Sequence, residues 1–167
     1  MSNVLIVCAS SGKNLEMSQR LAEQIQSVPL EVICLDEMEL PVYSVHYEVK
    51  NGIPEQVQRL AAQVHHAGAM IFAAPEYNGG MPPVLNNFIA WMSRSGSDWR
   101  SAFNGKTALI ANYSSTGGPR CLGMMRNQLA YIGMNVMGRE LHSTASRALD
   151  ENFVKETLAL FEATVRA

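Results

Sequence analysis

At 167 residues, 47% hydrophobic and 17% charged, the chain has the length of one domain and an ordinary globular balance, enough to bury about two-thirds of its unfolded surface. A formal net charge of −2 supplies no field for gathering DNA, RNA or an anionic membrane, and it argues against a strongly acidic electron carrier. The 3 cysteines share no CxxC or histidine spacing, no apolar run approaches a membrane span, and no basic leader precedes the first strand, which excludes a disulfide framework or a zinc site and makes a reducing cytoplasm the expected setting.

Asn3 to Cys8 (NVLIVC) reads as a continuous apolar strand. Ala9-Ser10-Ser11-Gly12-Lys13-Asn14 follows, and Ser18, Leu21, Ala22 and Ile25 then recur at helical spacing. Leu30 to Cys34 is a second strand, too apolar for an exposed edge. From Leu35 to Pro54 the periodicity lapses into a long connection containing Leu40-Pro41-Val42-Tyr43 and Asn51-Gly52. A connection of that length is expected to be functional or to cover something. Val57, Leu60, Ala61 and Val64 mark the next helix, with His65-His66 at its end and Gly68 as the expected C-cap.

Ala69 to Ala74 is a third strand of the kind buried on both faces, and Pro75 stops it. The loop Glu76-Tyr77-Asn78-Gly79-Gly80-Met81 has two glycines that permit positive φ, and Pro82-Pro83 sits where a helix starts. That helix is traced by Leu85, Phe88, Ile89 and Met92. Trp91 lies one position outside its apolar face, which leaves core-edge packing and a subunit contact both open. Ser95 to Gly105 is irregular, packed down by Trp99 and Phe103. Lys106 to Asn112 forms the fourth strand, Tyr113-Ser114-Ser115-Thr116-Gly117-Gly118-Pro119 its exit loop, and Leu122, Met125, Leu129 and Ile132 the helix behind it. Asn135 to Gly138 begins a short fifth strand, and Val154, Leu158, Phe161 and Val165 trace a final helix.

Strict alternation of strand and helix with right-handed crossovers predicts an α/β three-layer sandwich, a parallel sheet with helices on both faces. Five strands suit the order 2-1-3-4-5, with a ligand at the switch point beside the first strand. The exit loops of strands 1, 3 and 4 then lie side by side. Ser10, Ser11, Gly12 and Lys13 precede a helix start, where hydroxyls, free N–H groups and the helix dipole make an anion site. Simple capping is the other reading of that loop. It is neither a GxxxxGK[ST] nor a GxGxxG loop, which disfavours nucleoside triphosphates and dinucleotide fingerprints. Pro75 to Gly79 offers backbone N–H groups, an amide and an aromatic ring to something flat with polar edges. Ser114 and Ser115 lack a G-x-S-x-G elbow, so a serine hydrolase is not expected.

The run Pro75 to Arg94 (PEYNGGMPPVLNNFIAWMSR) resembles the flavin-contact loop and following helix of the NAD(P)H-dependent FMN reductase family. That family is flavodoxin-like and includes FMN-, quinone-, azo- and chromate-reducing enzymes. The resemblance implies an FMN oxidoreductase using NADPH or NADH, with small-molecule acceptors, no nucleic-acid or membrane partner, no metal and no catalytic side chain beyond the flavin. It also implies a homodimer or homotetramer in which a neighbouring subunit helps to wall the flavin. Ser10, Ser11, Lys13 and Ser18 would hold the phosphate, with Ser11 and Lys13 in the family's Ser and Arg places and Ser18 in its Asn place. Pro75, Glu76, Tyr77, Asn78 and Gly79 would line the ring edge, and Ser114, Ser115, Thr116, Gly117 and Gly118 would form the second ring-contacting loop. Glu16 stands where a phosphate-binding serine is expected, so Glu16→Ser is expected to tighten FMN binding. Arg94, Arg120 and Lys13 are candidates for a 2′-phosphate. The competing function is a binding module, either an FMN electron carrier or a flavin-free scaffold.

Overall fold

One of the inner strands of the sheet is apolar without a break from Val4 onward. β1 (Asn3–Cys8) pairs in parallel with β2 (Leu30–Cys34) on one side and with β3 (Ala67–Ala73) on the other. β3 pairs with β4 (Thr107–Tyr113), whose far edge takes two short segments, β5 (Asn135–Val136) and β6 (Leu141–Ser143). The order β2-β1-β3-β4-β5 is the expected one, with β6 also on β4. The structure is a computed structural model and describes residues 3–115 and 117–166.

Alternation along β1 divides the core in two. Val4, Ile6 and Cys8 face α1 (Lys13–Gln24) and α6 (Glu151–Arg166), where they join Met17, Leu21, Leu158 and Phe161. Leu5 and Val7 face the opposite layer, α3 (Glu55–His66), α4 (Pro83–Met92) and α5 (Pro119–Tyr131), with Leu60, Phe88 and Met125. No described helix is long and apolar enough to cross a membrane.

Three sequence expectations change, while β2 takes the edge that the expected order gives it although its sequence reads as too apolar for an exposed one. Its apolar residues serve both layers, Ile33 packing in one cluster and Leu30 and Val32 against the other, while Glu31 stays exposed. Gly68 is not a C-cap but lies within β3, because Ala67 already turns extended at φ −62°, ψ 132°. The fifth strand is split, with residues 137–140 separating β5 from β6.

The long connection contains a further helix, α2 (Val45–Asn51), which buries no residue and so has no apolar stripe to betray it. Ser44 caps it, accepting the Tyr47 N–H at 3.0 Å. What the connection covers is α4. Trp91 is fully buried beneath it and donates Nε1–H to Pro41 O at 2.7 Å, with Tyr43 and Tyr47 edge-on to its ring. Asn87 adds a clasp, accepting the Tyr43 N–H at 2.8 Å and donating to Pro41 O at 3.0 Å. Trp91 is therefore core of its own chain, held by a polar handle that needed a buried partner.

Candidate functional site

Parallel strands in adjacent register bring their exit loops to one edge of the sheet. There Ala9 N–H donates to Ala73 O at 2.8 Å and Ala74 N–H to Ala111 O at 3.1 Å, so the ends of β1, β3 and β4 are tied before the loops begin. Ser10–Lys13, Pro75–Gly79 and Ser114–Gly118 all emerge from that edge, as expected from the topology. Thr116, expected among them, lies outside the described residues.

The first loop is latched to the fourth strand by Asn14. Its Oδ1 accepts the Tyr113 N–H at 2.8 Å and its Nδ2 donates to Tyr113 O at 3.0 Å. The residue is buried, and it was not singled out from the sequence because a helix-start asparagine reads as a cap. Ser18 is also buried and spends its hydroxyl on Asn14 O at 2.8 Å, one turn back in its own helix. Ser10 is buried, and its carbonyl accepts from the Cys8 thiol. Ser11 and Lys13 are exposed, and both already have partners. Ser11 donates to Asp36 and Lys13 pairs with Glu16 at 2.8 Å, which holds the Lys13 ammonium above its ordinary value. Asp36, on the turn after β2, carried no sequence signal of a site role.

In the third-strand loop Pro75 is buried and Glu76 turns inward. The Glu76 carboxylate accepts the N–H groups of Arg120 at 3.0 Å and Cys121 at 3.2 Å. It thereby satisfies two orphan donors of α5, whose N-cap Gly118 has no side chain to do so. The Glu76 N–H goes to Ser114 Oγ at 2.7 Å, and Ser114 N–H to Ser143 O at 3.2 Å. The two loops form one stitched ledge. Beyond it, Tyr77 and Gly80 exchange backbone hydrogen bonds at 3.0 Å, closing a two-residue turn with Asn78 at φ 51° and Gly79 at φ 78°. Two successive left-handed residues make the tight hairpin turn that Asn-Gly favours. Tyr77 and Asn78 are exposed, and among the described residues no hydrogen bond engages the N–H of Asn78 or Gly79.

In the fourth-strand loop Ser115 is exposed, while Gly117 at φ 83° lies against His142 and Thr144 of the β6 end. Gly118 at φ 60° admits no side chain, because a Cβ there would overlap the Asn112 amide. Asn112 is buried, and its Oδ1 has no hydrogen-bond partner among the described residues. Cys121 lies under the ledge with its thiol on Pro75 O, and burial, reinforced by the Glu76 carboxylate, pushes the thiol up to about 12. It is a protonated core residue, not a nucleophile. The Arg120 stem lies alongside Gly79, and its guanidinium is 75% exposed, 4.0 Å from Glu76. Arg94 instead pairs with Glu48 at 3.0 Å.

For a flavin mononucleotide the two halves of this edge differ. The ring half fits: a rigid ledge presents an exposed aromatic side chain, an exposed amide and two uncommitted N–H groups. The phosphate half does not fit as it stands, because the Ser11 donors and the Lys13 ammonium are engaged by the chain's own carboxylates. The Tyr77–Gly80 turn lines neither the cleft of about 310 Å³ between α1 and α6 nor that of about 640 Å³ beside α3, and Tyr77 and Asn78 at its tip are exposed.

A sequence model of the NADPH-dependent FMN reductase family matches residues 2–147. The chain is 31% identical over 126 residues to a quinone reductase of Escherichia coli (strain K12), covering 74% of this chain and 65% of that protein. It therefore spans less than two-thirds of that relative. An NAD(P)H-dependent FMN reductase of Pseudomonas aeruginosa is 32% identical over 139 residues, covering 80% of this chain and 73% of the relative. Among solved structures, the flavoenzyme NAD(P)H:(acceptor) oxidoreductase FerB of Paracoccus denitrificans superposes with a TM-score of 0.76 at 22% identity, covering 99% of this chain and 96% of that one. By its fold, its loops and this match over most of its length, the chain belongs to the NADPH-dependent FMN reductase family.

Proposed function

We propose that residues 1–167 form a single flavodoxin-like domain that binds FMN and works as an NAD(P)H-dependent oxidoreductase. Electrons pass from NADPH or NADH to a small acceptor such as a quinone, free flavin, azo compound or metal oxyanion. The observation that carries this reading is the Tyr77–Gly80 turn, mounted on the Glu76–Ser114 ledge with the N–H groups of Asn78 and Gly79 uncommitted. A flavin bound there supplies the redox chemistry, accepting a hydride from NAD(P)H and returning two electrons to the acceptor, which takes its protons from solvent.

The chain's own task is to bind and orient. Asn78 and Gly79 direct donors at the polar ring edge, where negative charge develops on reduction. Tyr77 supplies an apolar flank, and Glu76 holds the ledge by tying α5 to the third-strand loop. No side chain is assigned as acid or base. Both substrates meet the same ring face in turn, so the kinetics are expected to be ping-pong. The free cysteines suit a reducing cytoplasm, and the exposed tip of the turn leaves room for a neighbouring subunit of a homodimer or homotetramer to complete the wall. Exposed Val42, Val45 and Val49 on the connection supply apolar surface for such a contact.

The test is reconstitution with saturating FMN, followed by NADH and NADPH oxidation with quinone, azo-dye and metal-oxyanion acceptors. Turnover well above that of free FMN is expected with at least one acceptor. FMN bound without turnover would make the protein a carrier, and no FMN binding would make it a scaffold.

A further inference from the structure

The anion end of the site is closed by a side chain from the neighbouring strand. In the parallel register of β1 and β2, Cys8 lies opposite Cys34, so Ser10–Ser11 and Asp36 emerge side by side. β2 runs at once into a short 3-10 turn, Leu35–Glu37, pinned by buried Leu35. Asp36 projects from it to the first loop. One carboxylate oxygen, Oδ2, accepts the Ser11 hydroxyl at 2.7 Å and the Ser11 N–H at 3.2 Å. These are the two donors through which the loop would hold a phosphate oxygen. The loop's ammonium is engaged in the same way, Lys13 Nζ meeting both oxygens of Glu16 at 3.1 and 2.8 Å. Two carboxylates against one ammonium leave the loop negative.

We propose that Asp36 is a specificity-determining residue that cancels the attraction of this loop for a terminal phosphate, so that the protein binds riboflavin as readily as FMN. The proposal rests on the flavin reading of the ring loops. A phosphate monoester carries a charge of about −1.5 to −2 near neutral pH. To be held it must displace Asp36 from Ser11 or lie beside it, and the lost hydrogen bonds or the repulsion offset what the loop returns. An unphosphorylated side chain ends in a hydroxyl, which both donates and accepts. Such a group donates to the Asp36 carboxylate without disturbing the Ser11 bonds. Affinity then resides in the ring loops, and the phosphate contributes little.

The test titrates flavin-free protein with riboflavin and with FMN separately, following quenching of flavin fluorescence at low salt. Wild type is expected to show a dissociation constant for riboflavin no more than about threefold above that for FMN. Asp36→Ala frees both Ser11 donors for the phosphate, removes one charge and deletes the acceptor of the riboflavin hydroxyl, and should raise that ratio to about tenfold or more, chiefly through tighter FMN binding. Asp36→Asn keeps an acceptor on Ser11 without the charge and should fall between. Glu16→Ser releases Lys13 alone and should raise the ratio less than Asp36→Ala. Added salt should shrink the gain, since the loop is exposed. A wild-type preference for FMN above threefold, or an unchanged ratio in Asp36→Ala, overturns the proposal while leaving the flavin reading intact. Absence of quenching by either flavin overturns the flavin reading itself, and this proposal with it.

Discussion

Glu76 and Asn78 stand two residues apart and do opposite work. Glu76 is spent on the N-terminus of α5, whereas Asn78 is exposed at the tip of the turn. Asn78→Asp keeps a residue that tolerates positive φ but replaces an amide donor with a carboxylate. Repulsion of about 1 kcal/mol toward the reduced ring corresponds to a two-electron potential lower by about 20 mV, with slower reduction and little change in binding of the oxidised flavin. Redox titration checks this, and an unchanged potential would place Asn78 away from the ring. Arg120 is the exposed cation beside Gly79, with Lys13 and Arg94 taken by Glu16 and Glu48. Arg120→Ala is expected to lower kcat/KM for NADPH about fivefold to twentyfold, equivalent to about 1–2 kcal/mol, and to leave that for NADH nearly unchanged. Equal losses with both nicotinamides would show that Arg120 does not meet the 2′-phosphate.

Among the elements, two depend on single side chains reaching across the fold. Asn14 ties the start of α1 to the end of β4 through both its amide atoms. Asn14→Ala leaves a strand-end N–H and C=O without partners, so a loss of about 2–3 kcal/mol in urea unfolding is expected. The connection between β2 and α3 is held by Trp91 and Asn87 of α4. Trp91→Phe keeps an aromatic ring but loses the pyrrole half of the buried indole and with it the Nε1–H bond to Pro41. It should cost about 2–3 kcal/mol and open the segment 42–53, which exposes Val42, Val45 and Val49 and buries no residue of α2, to faster limited proteolysis. Proteolysis at the wild-type rate would mean that the aromatic packing alone holds the connection.

For the molecule as a whole, the cysteines predict how stability responds to alkali. Burial raises all three thiols above the ordinary 9.0, Cys121 to about 12. The folded chain therefore retains protons that the unfolded chain releases above 9.0. That contribution is complete below pH 9 and is lost as pH rises toward 12. Lys106, lowered by desolvation while its ammonium caps α3 through Val64 O and His65 O, acts in the opposite sense below 10.5. Denaturation midpoints should fall between pH 9 and pH 11, and Cys121→Ala should flatten that fall. An identical slope in the variant would show that the thiol does not govern it.

What the sequence by itself determined is whatever local pattern specifies. Strands β1 and β2 were legible to the residue because both are short and largely apolar, and strict alternation with right-handed crossovers leaves few sheet orders. In the third-strand loop the positive φ of Gly79 was legible from its glycine, whereas the left-handed Asn78, and with it the Tyr77–Gly80 turn, was not. The tertiary structure decided what depends on neighbours distant in the chain. Asp36 meets Ser11 only through the register of two parallel strands, and Glu76 faces α5 rather than the surface because Gly118 leaves that helix uncapped. Trp91 became core because the connection through Pro41, 50 residues earlier in the sequence, folds over it. A hydrogen-bond partner in space carries no periodicity along the chain, so residues in the same loop with similar polarity, such as Glu76 and Asn78, are told apart only by what the fold places opposite them.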